Sequence, residues 1–557
     1  MSKAANMLST AWTTLRSDAL NTGTWRSAIP TYRYCPSPCH QACPVNNDIP
    51  AWIDGIEKGE LHGAWLKLAV NNPFPSITGR VCHHPCESYC NRGQYDEKIS
   101  IRMLERYLGD LSLERGWSFP AVDVAKKERV AIIGGGPAGL SAAYHLRLEG
   151  YTVEIYEARQ KLGGLLRYGI PAYRLPKEVL DREIDRLLEL GIEVHTDVAI
   201  NTPGEYDRLQ KEYDALFIST GAQRSRKLAQ FEDSSGIIQD GLDYLYKVNS
   251  GQAPGLGQKV LVIGGGNTAI DTARSAKRLG ADQVMIIYRR TEEEMPSQKS
   301  EILEAGEEGI LFTFLASPVR IEKENGVQKL VCQKMQLGEN DSSGRPRPEP
   351  IKDAYLSFEA DSMIMALGSD IVMPKIGNGL EIQDSVLKVD GKQETSIKNV
   401  FAGGDLTSNI RFVSTAMGAG KKAAQQMAQL FGGNTVQGSS DLETVSFEEI
   451  NTFYFPRNPA VVSGSFQLVV SDRIKNFEEV QLGISEEQAI GEATRCFNCG
   501  FCTVCDNCYY FCPDMAIARN SGEDGPNYTV LDQYCKGCGL CVRECPRGAI
   551  VLKEESK

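Results

Sequence analysis

Arg129-Val-Ala-Ile-Ile-Gly134-Gly-Gly136-Pro137-Ala138-Gly139-Leu140 decides how the middle of this 557-residue chain folds. An apolar β run enters the glycine turn and a helical run to Glu149 leaves it. A second apolar strand, Thr152 to Tyr156, then ends on Glu157. In such a unit the first glycine permits the tight turn, the second lets backbone approach a pyrophosphate, and the third lets helix pack on strand. The pyrophosphate would sit on the helix N-terminus, and the acid about 20 residues on would take ribose hydroxyls. A lone Gly-x-Gly-x-x-Gly is weak evidence. Strand, helix and acid together predict a dinucleotide site at Gly134, Gly136, Pro137, Ala138, Gly139 and Glu157.

Working outward, Val260-Leu-Val-Ile-Gly264-Gly-Gly266-Asn267-Thr268-Ala269 repeats the unit and opens a helix to Leu279. Its next strand, Gln283 to Ile287, ends in Tyr288-Arg289-Arg290 rather than an acid. Arginine there suits the 2′-phosphate of NADP, whereas Asp or Glu suits the free hydroxyl of NAD. NADP is favoured, through Arg289 and Arg290, against the plain alternative of two surface arginines. A third signal is Asn399-Val-Phe-Ala-Gly403-Gly404-Asp405, followed by Ser414-Thr415-Ala416-Met-Gly418-Ala-Gly420 opening a helix. Gly-Gly-Asp alone would be an ordinary turn. At a strand end behind two nucleotide units, Gly404 and Asp405 are expected at the ribityl and pyrophosphate of FAD, with the helix start at Thr415 and Ala416 facing the isoalloxazine. Ile218-Ser-Thr220-Gly221 and Met365-Ala-Leu-Gly368 fit the strand ends where the chain crosses between the two units. No C-x2-C or C-x4-C pair lies between residues 130 and 435, which argues against a disulfide reductase. No Ser/His/Asp set stands out, and no catalytic protonating residue is nominated, because cofactors would carry the chemistry.

The ends of the chain hold sixteen of the seventeen cysteines; only Cys332 stands apart. Near the C-terminus, Cys502-x2-Cys505-x2-Cys508-x3-Cys512-Pro513 and Cys535-x2-Cys538-x2-Cys541-x3-Cys545-Pro546 form the bacterial-ferredoxin pattern for two [4Fe–4S] clusters. In that pattern the fourth Cys of each run serves the other cluster. The N-terminal set is Cys35-x3-Cys39-x3-Cys43-Pro44 and Cys82-x3-Cys86-x3-Cys90, with zinc as the competing reading. Thiols packed this closely in a long chain without a visible signal peptide suit clusters better than disulfides and suggest a reducing cytoplasm. A net charge of −12 argues against nucleic acid as partner. No run approaches the ~18 apolar residues of a membrane span.

Asn71-Asn-Pro-Phe-Pro-Ser-Ile-Thr-Gly-Arg80-Val, Lys161-Leu-Gly-Gly164-Leu165-Leu-Arg-Tyr-Gly-Ile-Pro171 with Arg174-Leu-Pro176, and Tyr288-Arg-Arg with Met295-Pro296 resemble the small subunit of bacterial glutamate synthase. That family includes dihydropyrimidine dehydrogenase and the large subunits of electron-bifurcating transhydrogenases. The resemblance covers residues about 30 to 430. It implies FAD at the first and last glycine units, with Gly164, Leu165, Arg174, Thr220 and Gly221 among the cofactor-binding residues. It implies NAD(P)H at the middle unit and iron–sulfur clusters at the N-terminus. One of these would take Cys43, Cys82, Cys86 and Glu105, the family using a Gln or Glu from the helix after the last Cys. The second has Cys39, Cys90 and Cys35 and is one ligand short. His40 is a weak candidate for the gap. Cys496 and Cys499, x2 apart and outside the ferredoxin register, complete a cluster if the tail folds back, and are otherwise free thiols.

The expected class is α/β: a helical iron–sulfur domain (1–125), a Rossmann-like FAD domain in two parts (126–250 and 371–435) around an NAD(P)H domain (251–370), a connecting segment (436–495), and an α+β two-[4Fe–4S] ferredoxin-like domain (496–557). The expected activity is hydride exchange between NAD(P)(H) and FAD, with single electrons passing through the clusters to or from a partner such as a 2-oxoacid:acceptor oxidoreductase. The alternatives are a stand-alone NAD(P)H-dependent reductase of a small organic substrate and a glutamate synthase small subunit.

Overall fold

The computed structural model describes residues 21–23, 26–33, 37–122, 125–226, 228, 231, 236–324, 327–341, 344–376, 379–433, 443–461, 466–520 and 527–555. Strand Arg129–Ile133, buried beyond its first residue, is central in a five-stranded parallel sheet. The order is Val400–Ala402, Ala215–Ile218, Arg129–Ile133, Thr152–Tyr156, Glu193–His195. Near-continuous apolar runs are what a parallel sheet covered on both faces requires. A second five-stranded parallel sheet runs Leu311–Thr313, Gln283–Ile287, Lys259–Ile263, Ser362–Met365, Ile238–Asp240. An antiparallel insert of three strands, Ala316–Glu324, Val327–Asn340 and Pro346–Glu359, projects from this unit.

The chain crosses between the sheets on a two-stranded ladder, Arg224–Ser225 against Ser369–Asp370, closed by an Arg226–Asp370 ion pair at 2.8 Å. This moves one expected boundary. Strand Ile238–Asp240 pairs with Ser362–Met365, so it and helix Gly241–Asn249 belong to the second unit, which begins well before residue 251. The segment is too short and half-buried to show its allegiance in sequence.

The N-terminal helices do not form a separate core. Trp52, Trp65, Phe74 and Leu104 pack in one cluster with Ile132, Leu140 and Met417 of the first unit and with Ala489 and Ala493 of helix Glu486–Thr494. That helix lies against Ile49–Glu57 and Ile101–Glu114, so the segment expected to be a plain connector covers the iron–sulfur domain. Its aromatic patch continues toward the tail: the Phe455 ring packs tilted against Phe497, with centroids 4.6 Å apart, and Tyr454 Oη donates to Glu544 Oε2 at 2.5 Å. The tail is tied back twice. Strand Ala28–Tyr32 pairs antiparallel with Ile550–Glu554, and Tyr32 Oη lies 3.3 Å from Cys508 Sγ. The architecture is a helical iron–sulfur domain, two Rossmann-like parallel sheets and a ferredoxin-like C-terminal domain. Among the described residues no helix is long and apolar enough to cross a membrane.

Candidate functional site

The first glycine turn opens one large cavity. Gly134 has φ 108°, a conformation costly for any residue with a Cβ, and Gly264 repeats it at φ 145°. Pro137 at the first helical position pre-sets the backbone of helix Pro137–Leu148. The Gly134 backbone, Gly136, Pro137, Ala138, Glu157, Gly164, Leu165, Thr220, Gly221, Gly404, Asp405 and Ala416 all line this cavity. Gly139 does not; it lets the helix pack, since a Cβ there would press into the Gly134 carbonyl. Thr415 is half-buried next to Ala416 in the first turn of helix Val413–Leu430.

Glu157 is buried and already held: its Oε2 accepts from Gly135 N at 2.8 Å and its Oε1 from Arg159 N at 2.9 Å. Among the described residues Asp405 has no such donors, and burial pushes its carboxyl up to about 6 against the pull of Arg411. Thr220 Oγ1 is buried with no partner among the described residues. An orphaned hydroxyl, a positive helix N-terminus and a carboxylate at the far strand end are the donor and acceptor set that a dinucleotide satisfies, so the cavity fits FAD. Two further wall segments, Val198–Ala199–Ile200 and Val372–Met373–Pro374–Lys375, escape sequence reading because no residue type in them announces a ligand.

Arg174 lies between the two nucleotide units. It is outside the cavity wall, with its guanidinium 2.7 Å from Asp271 Oδ2 and paired to Glu301 as well. Both carboxylates belong to the second unit, so Arg174 joins the two nucleotide domains.

At the second turn, Gly266 caps helix Asn267–Arg278 and Thr268 leans on Gly241. Tyr288 lies over Gly265, where a Cβ would meet its ring, and its hydroxyl donates to the Glu294 carbonyl at 2.9 Å. The two arginines separate. Arg290 is 2% exposed, with Nη2 2.6 Å from Asp341 Oδ2 and Nε donating to the Pro346 carbonyl at 2.7 Å. Arg289 is exposed and makes no hydrogen bond or ion pair among the described residues. Only Arg289 has a guanidinium to offer a phosphate; the pairing expected for Arg290 is corrected by its burial. His83 was not legible as a site residue. Its ring stacks on Phe412 at 3.8 Å and its Nε2 lies 3.2 Å from Asn267 Nδ2, while His83 Nδ1 and Asn267 Oδ1 are buried without partners. It thus bridges the N-terminal domain, the flavin-side helix and the second turn. Burial, with Arg174 nearby, lowers its pKa to about 4 and keeps the ring neutral.

Among the described residues the terminal cysteines gather into four groups. One tail cavity is lined by Cys502, Cys505, Cys508 and Cys545, and another by Cys512, Cys535, Cys538 and Cys541. Each run lends its fourth Cys to the other, the exchange that the ferredoxin spacing predicts. In the N-terminal domain Glu105, with Oε1 accepting from Asn72 Nδ2 at 2.7 Å, sits within electrostatic reach of Cys43 and Cys82, and Cys86 is in reach of Cys43, Cys39 and Cys82. Burial pushes the Glu105 carboxyl up to about 7 and the Cys43 thiol up to about 11. The Cys43–Val45 loop rests on helix Val413–Leu430: Lys421 Nζ donates to the Val45 carbonyl at 2.8 Å, and a Cβ on Gly418 would press into the Pro44 carbonyl. Cys39 and Cys90 face Cys496 and Cys499. His40 turns instead toward Asp48, at 3.8 Å. Cys35 lies outside the described residues. Among the described residues no three cysteines have sulfurs all within 4.8 Å of one another. Ligands of one tetrahedral zinc, at about 2.3 Å from the ion, would be that close.

Residues 128–420 match the model of the pyridine nucleotide-disulphide oxidoreductase family. Residues 32–117 match the dihydropyrimidine dehydrogenase domain II, 4Fe-4S cluster, and residues 528–551 a 4Fe-4S binding domain. The chain is 34% identical to NADP(+)-dependent formate dehydrogenase subunit beta of Moorella thermoacetica, over 84% of this chain and 71% of that one. It is 34% identical to NADPH-Fe(3+) oxidoreductase subunit beta of Geobacter sulfurreducens, over 83% and 75%. It is 32% identical to the glutamate synthase [NADPH] small chain of Azospirillum brasilense, over 70% and 85%. The dinucleotide cavity, the paired glycine turns and the cysteine-rich ends thus agree with these matches, and the chain belongs to the pyridine nucleotide-disulphide oxidoreductase family as a glutamate synthase small-chain-like, NAD(P)H-dependent oxidoreductase with FAD and with 4Fe-4S domains at both ends.

Proposed function

We propose that this chain is the electron-transfer subunit of a larger oxidoreductase. It would exchange hydride between NADP(H) and FAD and deliver or collect single electrons at its ferredoxin-like tail. The observation that carries this reading is the succession of cysteine groups from the flavin-side helix to the tail. The Cys43 loop and Cys82 lie on helix Val413–Leu430, Cys39 and Cys90 come next, and the paired tail cavities follow. When bound, FAD accepts or donates two electrons as hydride and exchanges them singly with iron–sulfur centres. The chain's own residues do the rest. The N-terminus of helix Pro137–Leu148 holds the pyrophosphate, Glu157 and Asp405 take hydroxyls, and Arg289 selects the nicotinamide nucleotide. Neutral His83 and Phe412 wall the space between the second turn and the Cys82 group.

A partner with its own redox site is supported by the relatives that are named as beta subunits of oxidoreductases. The formate dehydrogenase named for one relative and the 2-oxoacid oxidoreductase drawn from the resemblance are both candidates for that partner. Anaerobic isolation of the native complex tests the reading. A second redox subunit should co-purify, and NADPH should reduce both the flavin and a low-potential one-electron acceptor. Turnover of a small organic substrate by the lone chain, with no partner recovered, would sink it.

The nucleotide preference has its own test. Arg289→Ala should raise KM for NADPH by about 10- to 100-fold, the loss of a charge-assisted hydrogen bond, and leave NADH within about twofold. An equal effect on both nucleotides rejects the 2′-phosphate role.

A further inference from the structure

Cys496 and Cys499 lie some four hundred residues from Cys39 and Cys90 in the chain, yet the fold brings the four sulfurs together. Cys39 lies within electrostatic reach of Cys90, Cys496 and Cys499, Cys496 of Cys499 and Cys90, and Cys499 of Cys90, whose neighbour Asn91 reaches Cys499 Sγ at 3.5 Å. Every pair in the set is therefore in mutual reach. None of them belongs to the tail cavities, and Cys43, Cys82 and Glu105 form a second group, with Cys86 in reach of Cys43 and Cys82 and also of Cys39.

The contacts that hold this arrangement are specific. Asn91, next to Cys90, donates from Nδ2 toward Cys499 Sγ at 3.5 Å and to the Val445 carbonyl at 2.9 Å. Arg92 Nη1 donates to the Arg495 carbonyl at 2.9 Å, and Arg495 returns Nη2 to Asp96 at 3.3 Å. Ser100 N donates to Glu492 Oε1 at 2.8 Å. Between the two tail cysteines, fully buried Asn498 adopts a left-handed φ of 48°, which turns the chain within the x2 spacing. Its N–H lies 3.4 Å from Cys496 Sγ. The same N–H to sulfur contact, two residues on, occurs at Cys82 with His84 N at 3.2 Å. Backbone donors of this kind stabilise a sulfur that carries negative charge, as a cluster thiolate does.

We propose that Cys39, Cys90, Cys496 and Cys499 are the four ligands of one [4Fe–4S] cluster whose thiolates come in pairs from the two ends of the chain. This rests on the reading above that the N-terminal domain holds iron–sulfur clusters. It supplies the ligands that the N-terminal segment lacks and makes Cys35 dispensable. With Cys43, Cys82, Cys86 and Glu105 as a second site and two in the tail, the chain would hold four clusters. The shared cluster also lies between the other groups. Arg547, which follows Cys545-Pro546, donates to the Phe497 carbonyl at 2.9 Å and to Thr503 Oγ1 at 2.6 Å, linking the shared group to the first tail cavity. It also clips the tail to the body of the protein.

The test uses full-length protein purified anaerobically, with iron, acid-labile sulfide and FAD counted per chain. Wild type should carry ~16 irons. C496S/C499S should lose ~4, C90S should lose the same ~4, and C90S/C496S/C499S should lose no more than either. C35S should lose none. Unchanged iron in C496S/C499S, or additive losses of ~8 in the triple variant, overturns the proposal. Native thiol alkylation followed by mass spectrometry reads the same question in wild type, without a variant that must fold. Cys496 and Cys499 should be protected together with Cys39 and Cys90 and become reactive once iron is chelated. Free alkylation of Cys496 and Cys499 in iron-replete protein overturns the assignment. NADPH-dependent flavin reduction is scored in parallel, so a failure of the electron-transfer reading, with iron counts as expected, is seen separately from a failure of the shared cluster.

Discussion

Gly139→Ala protein is expected to be purified with less than about a tenth of its FAD. The added Cβ has nowhere to go. It would press into the Gly134 carbonyl oxygen, with Ser219 Oγ 2.9 Å and Ile132 Cγ2 3.1 Å away. Two of these neighbours are fixed by the sheet: Ile132 is within strand Arg129–Ile133, and Ser219 N donates to the Ile133 carbonyl at 2.8 Å. The helix must therefore lift. Overpacking of this kind costs about 1–3 kcal/mol in a core that can adjust, and more where the obstacle is backbone. Lifting the helix also carries its N-terminal N–H groups away from the pyrophosphate, so stability and affinity fall together. Gly136→Ala provides the contrast. A Cβ there meets only Gly164 Cα, at 3.9 Å. The apoprotein should fold as wild type does, while the methyl group fills the space that the pyrophosphate needs and weakens FAD by about 10- to 100-fold, read by flavin titration. Full flavin in Gly139→Ala, or equal folding defects in both variants, would contradict this division of labour.

The second large effect is expected at Glu308. Its side chain is fully buried, with Oε1 2.7 Å from Arg274 Nη2 and Oε2 2.7 Å from Arg278 Nη1, and Arg473 Nε lies 3.6 Å away. Arg278 also stacks over Tyr173 at 4.0 Å. One carboxylate thus joins helix Asn267–Arg278, the connecting segment and the first nucleotide unit. Burial disfavours its charge, but the hydrogen bonds from Arg278 and Arg274 win and hold the carboxyl below its ordinary range. Glu308→Gln leaves the buried Arg278 guanidinium without its carboxylate, while Arg274 keeps Glu304 and Arg473 keeps Glu307, and should cost about 3–5 kcal/mol, or a fall in Tm of about 10 °C, followed anaerobically by flavin release. The sign of the pH dependence follows. A folded-state pKa below the unfolded value gives stability that is fully present above the unfolded pKa and lost as pH falls through the folded one. The gap between wild type and variant should therefore close on acidification below the carboxylate range. A gap that stays constant with pH would show that packing, not charge, is what the variant lost.

The residues that were legible in the sequence share one property: their meaning lies within a few positions of themselves. Gly134, Gly136, Pro137 and Gly139 act through one turn and the helix it starts, and Gly404 and Asp405 through the end of one strand. The spacing of Cys502 to Cys512 repeats at Cys535 to Cys545 because each run folds as one short loop and turn. Glu105 was singled out only through the resemblance, since a carboxylate on a helix looks like any solvated one until Cys43 and Cys82 are brought within its electrostatic reach.

The sequence by itself determined the two nucleotide turns, the cofactor classes and the ferredoxin register, because backbone sterics and ligand spacing act locally. Only the tertiary structure decided which neighbouring arginine is free, since Arg289 and Arg290 differ solely in the Asp341 and Pro346 that reach one of them. It set Arg174 against Asp271 and Glu301 of the second unit. It also drew Cys496 and Cys499 to Cys39 and Cys90 across nearly the whole chain, by burying helix Glu486–Thr494 against helices Ile49–Glu57 and Ile101–Glu114. Such pairings depend on apolar area buried between distant segments, a non-directional force that leaves no mark in the spacing of the residues it brings together.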